Sequence, residues 1–93
     1  MAEPEWTEAA LADRDLIFDY IERDNPRAAV VLDARFSDCA ARLQRHPRLG
    51  RPGRIRDTRE FVAHPNYILV YEIDDETVRI LRVVHSARRW PVT

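Results

Sequence analysis

The sequence predicts a single α+β domain in which an N-terminal helical hairpin packs on one face of an antiparallel β-meander. Residues 8–46 carry apolar side chains at helical spacing with one short interruption. Residues 58–85 carry three runs of β-branched and aromatic side chains, separated by two turn signals. The chain has 93 residues without repeats or a linker, so all of it, residues 1–93, is expected to form one domain.

The first helix is predicted to span residues 8–23. Thr7 is a suitable N-cap because its hydroxyl can accept a hydrogen bond from a first-turn amide, and Glu8 complements the positive end of the helix dipole. Arg14 interrupts the apolar stripe, so we expect its stem to lie flat on the domain and its guanidinium to reach water. The stripe consists of Leu11, Ile17, Phe18 and Ile21.

The second helix is predicted over residues 26–46, directly after the break Asp24-Asn25-Pro26. Asn25 can cap this helix, and Pro26 suits its first position because the amide that proline lacks would be unpaired there. Pro47 ends the helix. Its buried stripe is predicted to be Ala29, Leu32, Phe36, Cys39 or Ala40, and Leu43. On this stripe Cys39 is interpreted as a small core residue rather than a nucleophile.

A loop, residues 46–53, is predicted to lead from the helices to three strands near 58–63, 67–73 and 77–85. The central run is apolar at six of its seven positions, which is typical of a strand covered on both faces. The run 58–63 is shorter and carries Arg59 and Glu60, which favours an edge position. The acidic segment Asp74-Asp75-Glu76 predicts a tight hairpin before the last strand.

Composition excludes several classes of protein and of site. The single cysteine cannot form an internal disulfide, and no apolar run approaches the roughly 20 residues of a membrane span. The first ten residues lack the basic and apolar regions of a secretory signal, so a cytoplasmic location is expected. His46, His64 and His85 do not have a metal-ligand spacing, and the two glycines do not form a phosphate loop. We therefore predict neither a metal nor another cofactor.

The net charge of −1 conceals an uneven distribution along the chain. Residues 1–38 hold ten acids and four arginines, a net charge of −6. Residues 39–64 hold seven arginines and two acids, a net charge of +5, and residues 65–93 hold four of each. Clustered positive charge favours an acidic partner, either a nucleic acid or an acidic protein segment.

Six residues form a candidate site if the first and last strands lie close together. Arg54, Arg56 and Arg59 lead into the first strand, and Arg82, His85 and Arg88 lie at the end of the last. Metal-free RNA cleavage needs cations to hold the scissile phosphate, together with an acid and a base. Arginines could hold the phosphate and His85 could exchange the proton. Strand alternation places Arg82 and His85 on opposite faces, so not all six can converge.

The stretch from Arg54 to Trp90 resembles the C-terminal half of toxins of the RelE/ParE superfamily, the toxic partners of bacterial type II toxin–antitoxin pairs. Three short pieces carry the resemblance: Thr58-Arg59-Glu60, Tyr67-Ile68-Leu69-Val70-Tyr71 and residues 82–88. Together with Asp19-Tyr20-Ile21 and Asp24-Asn25-Pro26 upstream, they cover nearly the whole chain in the order of the family. The resemblance implies the compact toxin fold. It also implies a short strand near residues 3–7 at the edge of the sheet, which Glu3, Pro4 and Glu5 would weaken.

The resemblance implies a growth-inhibiting toxin and leaves its target open. Members that cleave mRNA on the ribosome usually carry an arginine inside the central strand, where this chain has Ile68. This difference favours the ParE-like branch, whose members inhibit DNA gyrase without a full catalytic set. His85 keeps a metal-free mRNA interferase open as the alternative, and an inactive antitoxin-binding member is a third. The candidate catalytic residues are Arg56, Arg59, His85 and Arg88, and the candidate target-binding residues are Arg54, Arg56, Arg59, Arg82, Arg88 and Trp90.

The resemblance also implies a cognate antitoxin, a small and partly disordered protein encoded by the adjacent gene. A helical hairpin covers only one face of a sheet, whereas the central strand is apolar on both of its faces. We therefore expect the antitoxin to wrap the domain, cover the opposite sheet face and an edge strand, and form a hetero-oligomer. The other expected partner is DNA gyrase, or the ribosome with its mRNA, and no membrane partner is expected.

Overall fold

The computed structural model describes residues 2–88, which form two helices and a five-stranded sheet. The helices form an antiparallel hairpin, and a single 3₁₀ turn, Pro47–Leu49, follows the second one. Neither helix in the described part of the chain is long and apolar enough to cross a membrane. In chain order the elements are β1 (Glu5–Trp6), α1 (Glu8–Glu22), α2 (Pro26–Arg45), β2 (Arg51–Pro52), β3 (Arg59–His64), β4 (Tyr67–Asp74) and β5 (Thr77–His85).

The sheet has the strand order β1-β5-β4-β3-β2. Its centre is the predicted meander, since β3 pairs antiparallel with β4 and β4 antiparallel with β5. The two-residue β1 pairs parallel with β5, which makes the sheet mixed, and it is the short edge strand that the resemblance implied. The α+β prediction of a helical hairpin on a meander is confirmed.

The core lies between the helix layer and one face of the sheet. In α2 the predicted stripe is confirmed, with Ala40 buried and Cys39 packed beside it at intermediate exposure. In α1 the prediction is only partly right, because Leu11 is 46% exposed and the buried residue is Ala10. The core cluster consists of Ala10, Leu32, Phe36, Ala40, Leu43, Ala63, Tyr67, Leu69, Tyr71, Val78, Ile80 and Val83.

Both predicted helix caps are present. The Thr7 side chain accepts a hydrogen bond from the Ala10 amide at 3.1 Å, and that of Asn25 accepts one from Ala28 at 3.1 Å. Pro26 occupies the start of α2, where its missing amide removes no hydrogen bond.

The expectation that the guanidinium of Arg14 reaches water is wrong. The Arg14 side chain is 13% exposed, and its Nε and Nη2 atoms donate to the two carboxylate oxygens of Asp33, each at 2.9 Å. The same guanidinium lies 4.4 Å from the ring centre of Trp6. The planar guanidinium can bind both oxygens of a carboxylate and also stack on an indole ring. Arg14 therefore connects its own helix, α1, to Asp33 on α2 and to Trp6 on β1.

Two further expectations are corrected by the structure. Residues 46–53 are not only a loop, because they include the 3₁₀ turn and β2, which pairs Arg51 with Glu60 and Pro52 with Arg59. The sheet face opposite the helices is also not left open along the central strand. Ile68 is 4% exposed and Val70 is 1% exposed within the single chain, so an antitoxin is not required to cover them.

The β4–β5 hairpin closes through a two-residue turn. Asp74 pairs with Thr77, and the two residues between them, Asp75 and Glu76, have φ values of 49° and 66°. Positive φ at both central positions is the type I′ geometry, whose twist matches that of the flanking strands. Gln44 on α2 anchors this turn, because it donates to the Glu76 carbonyl at 3.0 Å and accepts from the Val78 amide at 2.8 Å.

Candidate functional site

A groove of about 1040 Å³ runs between α1 and the paired ends of β4 and β5; we call it the α1 groove. Its helix wall includes Leu16 and Tyr20, each of which is 69% exposed. Its floor includes Tyr67 and Val83, which belong to the buried core. An exposed apolar wall of this kind beside a concave floor is typical of a surface that receives an apolar partner.

An aromatic cluster forms the end of the α1 groove. The ring of Tyr67 makes edge contacts with Phe36 and His85, at centroid distances of 5.8 and 5.2 Å, and it lies 5.9 Å from the ring of His64. Burial raises the pKa of Tyr67, and nearby Tyr20 raises it further, while Arg88 opposes the rise. The Tyr67 hydroxyl therefore remains protonated at neutral pH.

The two histidines of the cluster are held in the same way. The Nδ1 atom of His64 accepts from the Asn66 amide at 3.0 Å, and that of His85 accepts from the Ala87 amide at 3.1 Å. An accepting Nδ1 leaves the proton of a neutral imidazole on Nε2. His64 and His85 lie opposite Tyr67 on its two neighbouring strands, so Tyr67 separates them.

Asp13 on α1 links the helix to the free part of the β5 edge. Its carboxylate accepts from Nε and Nη2 of Arg82, at 2.8 and 3.0 Å, and from the Val83 amide at 2.9 Å. The hydrogen bond to Asp13 raises the pKa of Arg82, an effect that burial partly opposes. Arg82 thus serves to hold α1 against β5, and a role in target binding would compete with this pairing.

The second group of charged side chains lies at the other edge of the sheet, in residues 51–59, which we call the arginine hairpin. The next residue, Glu60, is 3% exposed, and its carboxylate holds this hairpin together. Glu60 accepts from the Arg54 amide at 2.9 Å and from Nη2 of Arg51 at 3.3 Å, and it lies 3.7 Å from Nε of Arg54. A buried carboxylate with several donors around it is satisfied, so Glu60 fixes the turn that carries the arginines.

A buried tyrosine fixes the segment before the arginine hairpin. Tyr71 donates its hydroxyl hydrogen to the Pro47 carbonyl at 2.6 Å and accepts from the Gly50 amide at 2.9 Å. A Cβ on residue 50 would lie 2.5 Å from the Tyr71 hydroxyl oxygen, so only glycine permits this approach. Arg59 adds a third contact, because its Nη1 donates to the Gly50 carbonyl at 2.7 Å.

The structure separates the six residues that the sequence suggested as one site. Arg59 pairs with Tyr71 on β4, whereas His85 pairs with Tyr67, four residues or about 13 Å away along the strand. Arg54 lies in the arginine hairpin with exposed Arg56, while exposed Arg88 lines the α1 groove. The expectation that these residues of the first and last strands join in space is not met for Arg59 and His85, which β4 separates. Trp90 lies outside the described residues.

Several residues with a structural part in these sites had no special role in the sequence prediction. His64 was predicted to lie in the break between two strands and Tyr67 at the start of the central strand, and Asp13 gave no signal because acids are common on exposed helix faces. Glu60 was visible as a charge within an apolar strand, and it was interpreted as a mark of an edge strand. Among the described residues no group of His, Cys, Asp and Glu is arranged to hold a metal ion.

Comparison with known proteins agrees with this fold. Residues 5–90 match the family described as "ParE toxin of type II toxin-antitoxin system, parDE". The chain is 45% identical over 87 residues to a protein of Sinorhizobium fredii named "Putative toxin Y4kP", an alignment that covers 92% of this chain and 90% of that protein. It is 39% identical over 88 residues to "Toxin RelE2" of Caulobacter vibrioides, with coverage of 95% and 99%.

A solved structure has the same fold. A chain from "Chromosomal ParDE TA system from P. aeruginosa" superposes with a TM-score of 0.80, at 22% identity, over 91% of this chain and 96% of that one. The family match spans nearly the whole sequence, and the two relatives are full-length matches well above 30% identity. This chain therefore belongs to the ParE toxin family of type II toxin–antitoxin systems, within the RelE/ParE superfamily.

Proposed function

We propose that this toxin stops growth by acting on DNA gyrase and that an antitoxin segment in the α1 groove neutralises it. The observation that carries the gyrase assignment is the environment of Ile68. Ile68 is 4% exposed and lies between Val62 and Val84 on the neighbouring strands. An arginine at this position would characterise the mRNA-cleaving branch, and this chain has a buried apolar side chain instead.

The alternative is a ribosome-dependent mRNA interferase, and the histidines beside Tyr67 favour it. His85 presents Nε2 rather than Nδ1, and Arg88 lines the same groove. An imidazole can transfer a proton and an arginine can hold a phosphate. The gyrase proposal is preferred because Arg59, another catalytic candidate, lies about four residues away from His85 along the sheet.

The two targets are distinguished by one expression experiment with two readouts. The chain is expressed without antitoxin in a bacterial host, growth is followed, and the purified chain is added to gyrase with relaxed plasmid. We expect growth arrest, loss of supercoiling and intact mRNA in a translating extract. Cleaved mRNA with normal supercoiling would establish the interferase, and normal growth with soluble protein would establish an inactive member.

The antitoxin proposal depends on the apolar wall of the α1 groove. An amphipathic helix could lay its apolar face on Leu16, Tyr20 and Tyr67, which is a common way for a segment to bind a groove. Acidic α1 and the arginine-rich middle of the chain would orient such a segment as it approaches. The proposed complex is a hetero-oligomer whose stability depends on burial of these side chains.

A matched pair of double variants tests the groove. Leu16→Asp with Tyr20→Asp places charge on the groove wall and should abolish co-purification with the antitoxin while the chain stays folded and toxic. Val30→Asp with Val31→Asp is the control, because these valines are 59% and 62% exposed and do not line the groove. Neutralisation of both variants by the antitoxin would contradict the proposal.

A further inference from the structure

Six of the ten exposed arginines in the described part of the chain lie in one continuous stretch of sequence. They belong to the last turn of α2, the 3₁₀ turn and the arginine hairpin. We call this region the basic surface: Arg42, Arg45, His46, Arg48, Arg51, Arg54 and Arg56. A shallow hollow of about 420 Å³ lies on this surface and is lined by Arg45, His46 and Arg48 among others.

Three of the arginines elsewhere in the fold are paired with carboxylates. Arg14 binds Asp33, and Arg82 binds Asp13. Arg79 contacts Glu5, Glu72 and Asp74 at 3.0–3.1 Å. Near the basic surface the only acids in the sequence from 39 to 64 are Asp57 and Glu60, and buried Glu60 contacts two arginines at once. The basic surface therefore keeps a large excess of positive charge.

Buried side chains hold the backbone of the basic surface in place. The Tyr71 hydroxyl binds Pro47 and Gly50, and Arg59 binds the Gly50 carbonyl. Glu60 binds the Arg54 amide at the start of the hairpin turn. Because this backbone is already fixed, it loses little conformational entropy when a partner binds. Such a preformed surface suits a partner that is itself rigid.

The chemistry of the basic surface fits the backbone of a nucleic-acid duplex. Interfaces with nucleic acid are much more positively charged than interfaces with protein, whose cores use aromatic and apolar groups. The sequence from 42 to 56 contains no Phe, Tyr or Trp, so it lacks the rings on which unpaired bases stack. We propose that the basic surface binds the phosphate backbone of duplex DNA. If the chain acts on gyrase, this contact places the toxin on the duplex that gyrase handles.

The test measures binding of the full chain to a fluorescent 20-base-pair DNA duplex by anisotropy at several salt concentrations. We expect affinity to fall with salt, with a slope of log K against log salt of about −0.9 per phosphate neutralised. The triple variant Arg45→Gln, Arg48→Gln and Arg56→Gln should lose at least tenfold in affinity and show a flatter slope. The control triple, Arg23→Gln, Arg27→Gln and Arg35→Gln, makes the same change in net charge with exposed arginines outside the basic surface and should bind as the unaltered chain does.

Several outcomes would overturn the proposal. These are no binding at low salt, equal losses in the two triple variants, or equal or tighter binding to single-stranded RNA, an RNA duplex or poly-glutamate. Circular dichroism establishes that both variants are folded. Because the assay contains no gyrase, its failure would leave the proposed target standing, and a failed supercoiling assay would leave the DNA contact standing.

Discussion

At the scale of single residues, the Tyr71 hydroxyl connects the centre of the sheet to the segment that carries the arginines. It is both donor and acceptor, to the Pro47 carbonyl and from the Gly50 amide, and its ring is fully buried. A buried polar group that satisfies two backbone groups costs more to remove than its own hydrogen bonds suggest, because both partners then lack theirs. The Tyr71 hydroxyl group therefore contributes both to the stability of the core and to the conformation of residues 47–50.

Replacing Tyr71 with Phe should lower the free energy of unfolding by about 1–3 kcal/mol, since the Pro47 and Gly50 groups lose their partner. The measurement is urea denaturation followed by circular dichroism. Tyr20→Phe is the matched control, because Tyr20 is 69% exposed, and it should change stability by less than about 0.5 kcal/mol. A Tyr71→Phe chain as stable as the control would show that water replaces the hydroxyl without cost.

Alkaline pH should destabilise the fold through Tyr67 and Tyr71. Burial raises the pKa of both phenols above the ordinary value of about 10. Above that value the unfolded chain loses phenolic protons that the folded chain still holds, so stability is intact below about pH 10 and falls as pH rises further. Unfolding free energies at neutral and alkaline pH measure this loss. Tyr71→Phe should show a smaller loss, and an equal loss would contradict the assignment to Tyr71.

At the scale of elements, the β4–β5 turn is shaped by a left-handed backbone that its residues do not prefer. Glu76 has a φ of 66°, which glycine adopts without strain and a residue with a Cβ does not. Glu76→Gly should therefore raise the free energy of unfolding by about 0.5–1 kcal/mol, or the melting temperature by several degrees. Thermal unfolding is the measurement. Glu22→Gly, in the last turn of the right-handed α1, should lower stability, and the same sign for both variants would contradict this reasoning.

Elements with local determinants were predictable, and those made by distant contacts were not. Thr7, Asn25 and Pro26 act on amides within their own turns, so the helix starts could be read directly. The two-residue β2 forms because Glu60 and Tyr71 make hydrogen bonds to the backbone of residues 47–54. No local pattern in the loop sequence predicts these contacts. The burial of Arg14 likewise depends on Asp33, nineteen residues away. The predicted strand order is correct, and the separation of Arg59 from His85 comes from the register of β3 and β5 along β4, which no local pattern indicates.

At the scale of the whole molecule, β1 covers the edge of β5 where Glu5 pairs with Arg79 and Trp6 with Ile80. Removing residues 2–6 should destabilise the domain and cause it to self-associate, because an exposed strand edge can pair with another chain. Light scattering with size-exclusion chromatography measures the association. Removal of residues 2–4 is the control, since it leaves β1 in place, and a monomeric 2–6 deletion would contradict the prediction.

The pairing of β1 with β5 also affects when the fold can form during synthesis, because β1 is made early and β5 late. Thr7 donates its hydroxyl hydrogen to the Leu81 carbonyl, 74 positions away in the sequence. The core side chains of the two helices pack against β4 and β5. On a translating ribosome the two helices emerge first and have no sheet to cover. Non-local pairings of this kind form late, because the chain loses conformational entropy in closing the loop before the new contacts stabilise it. The floor of the α1 groove, which includes Tyr67 and Val83, is therefore missing until β5 has emerged, so the surface proposed to receive an antitoxin forms later than either helix.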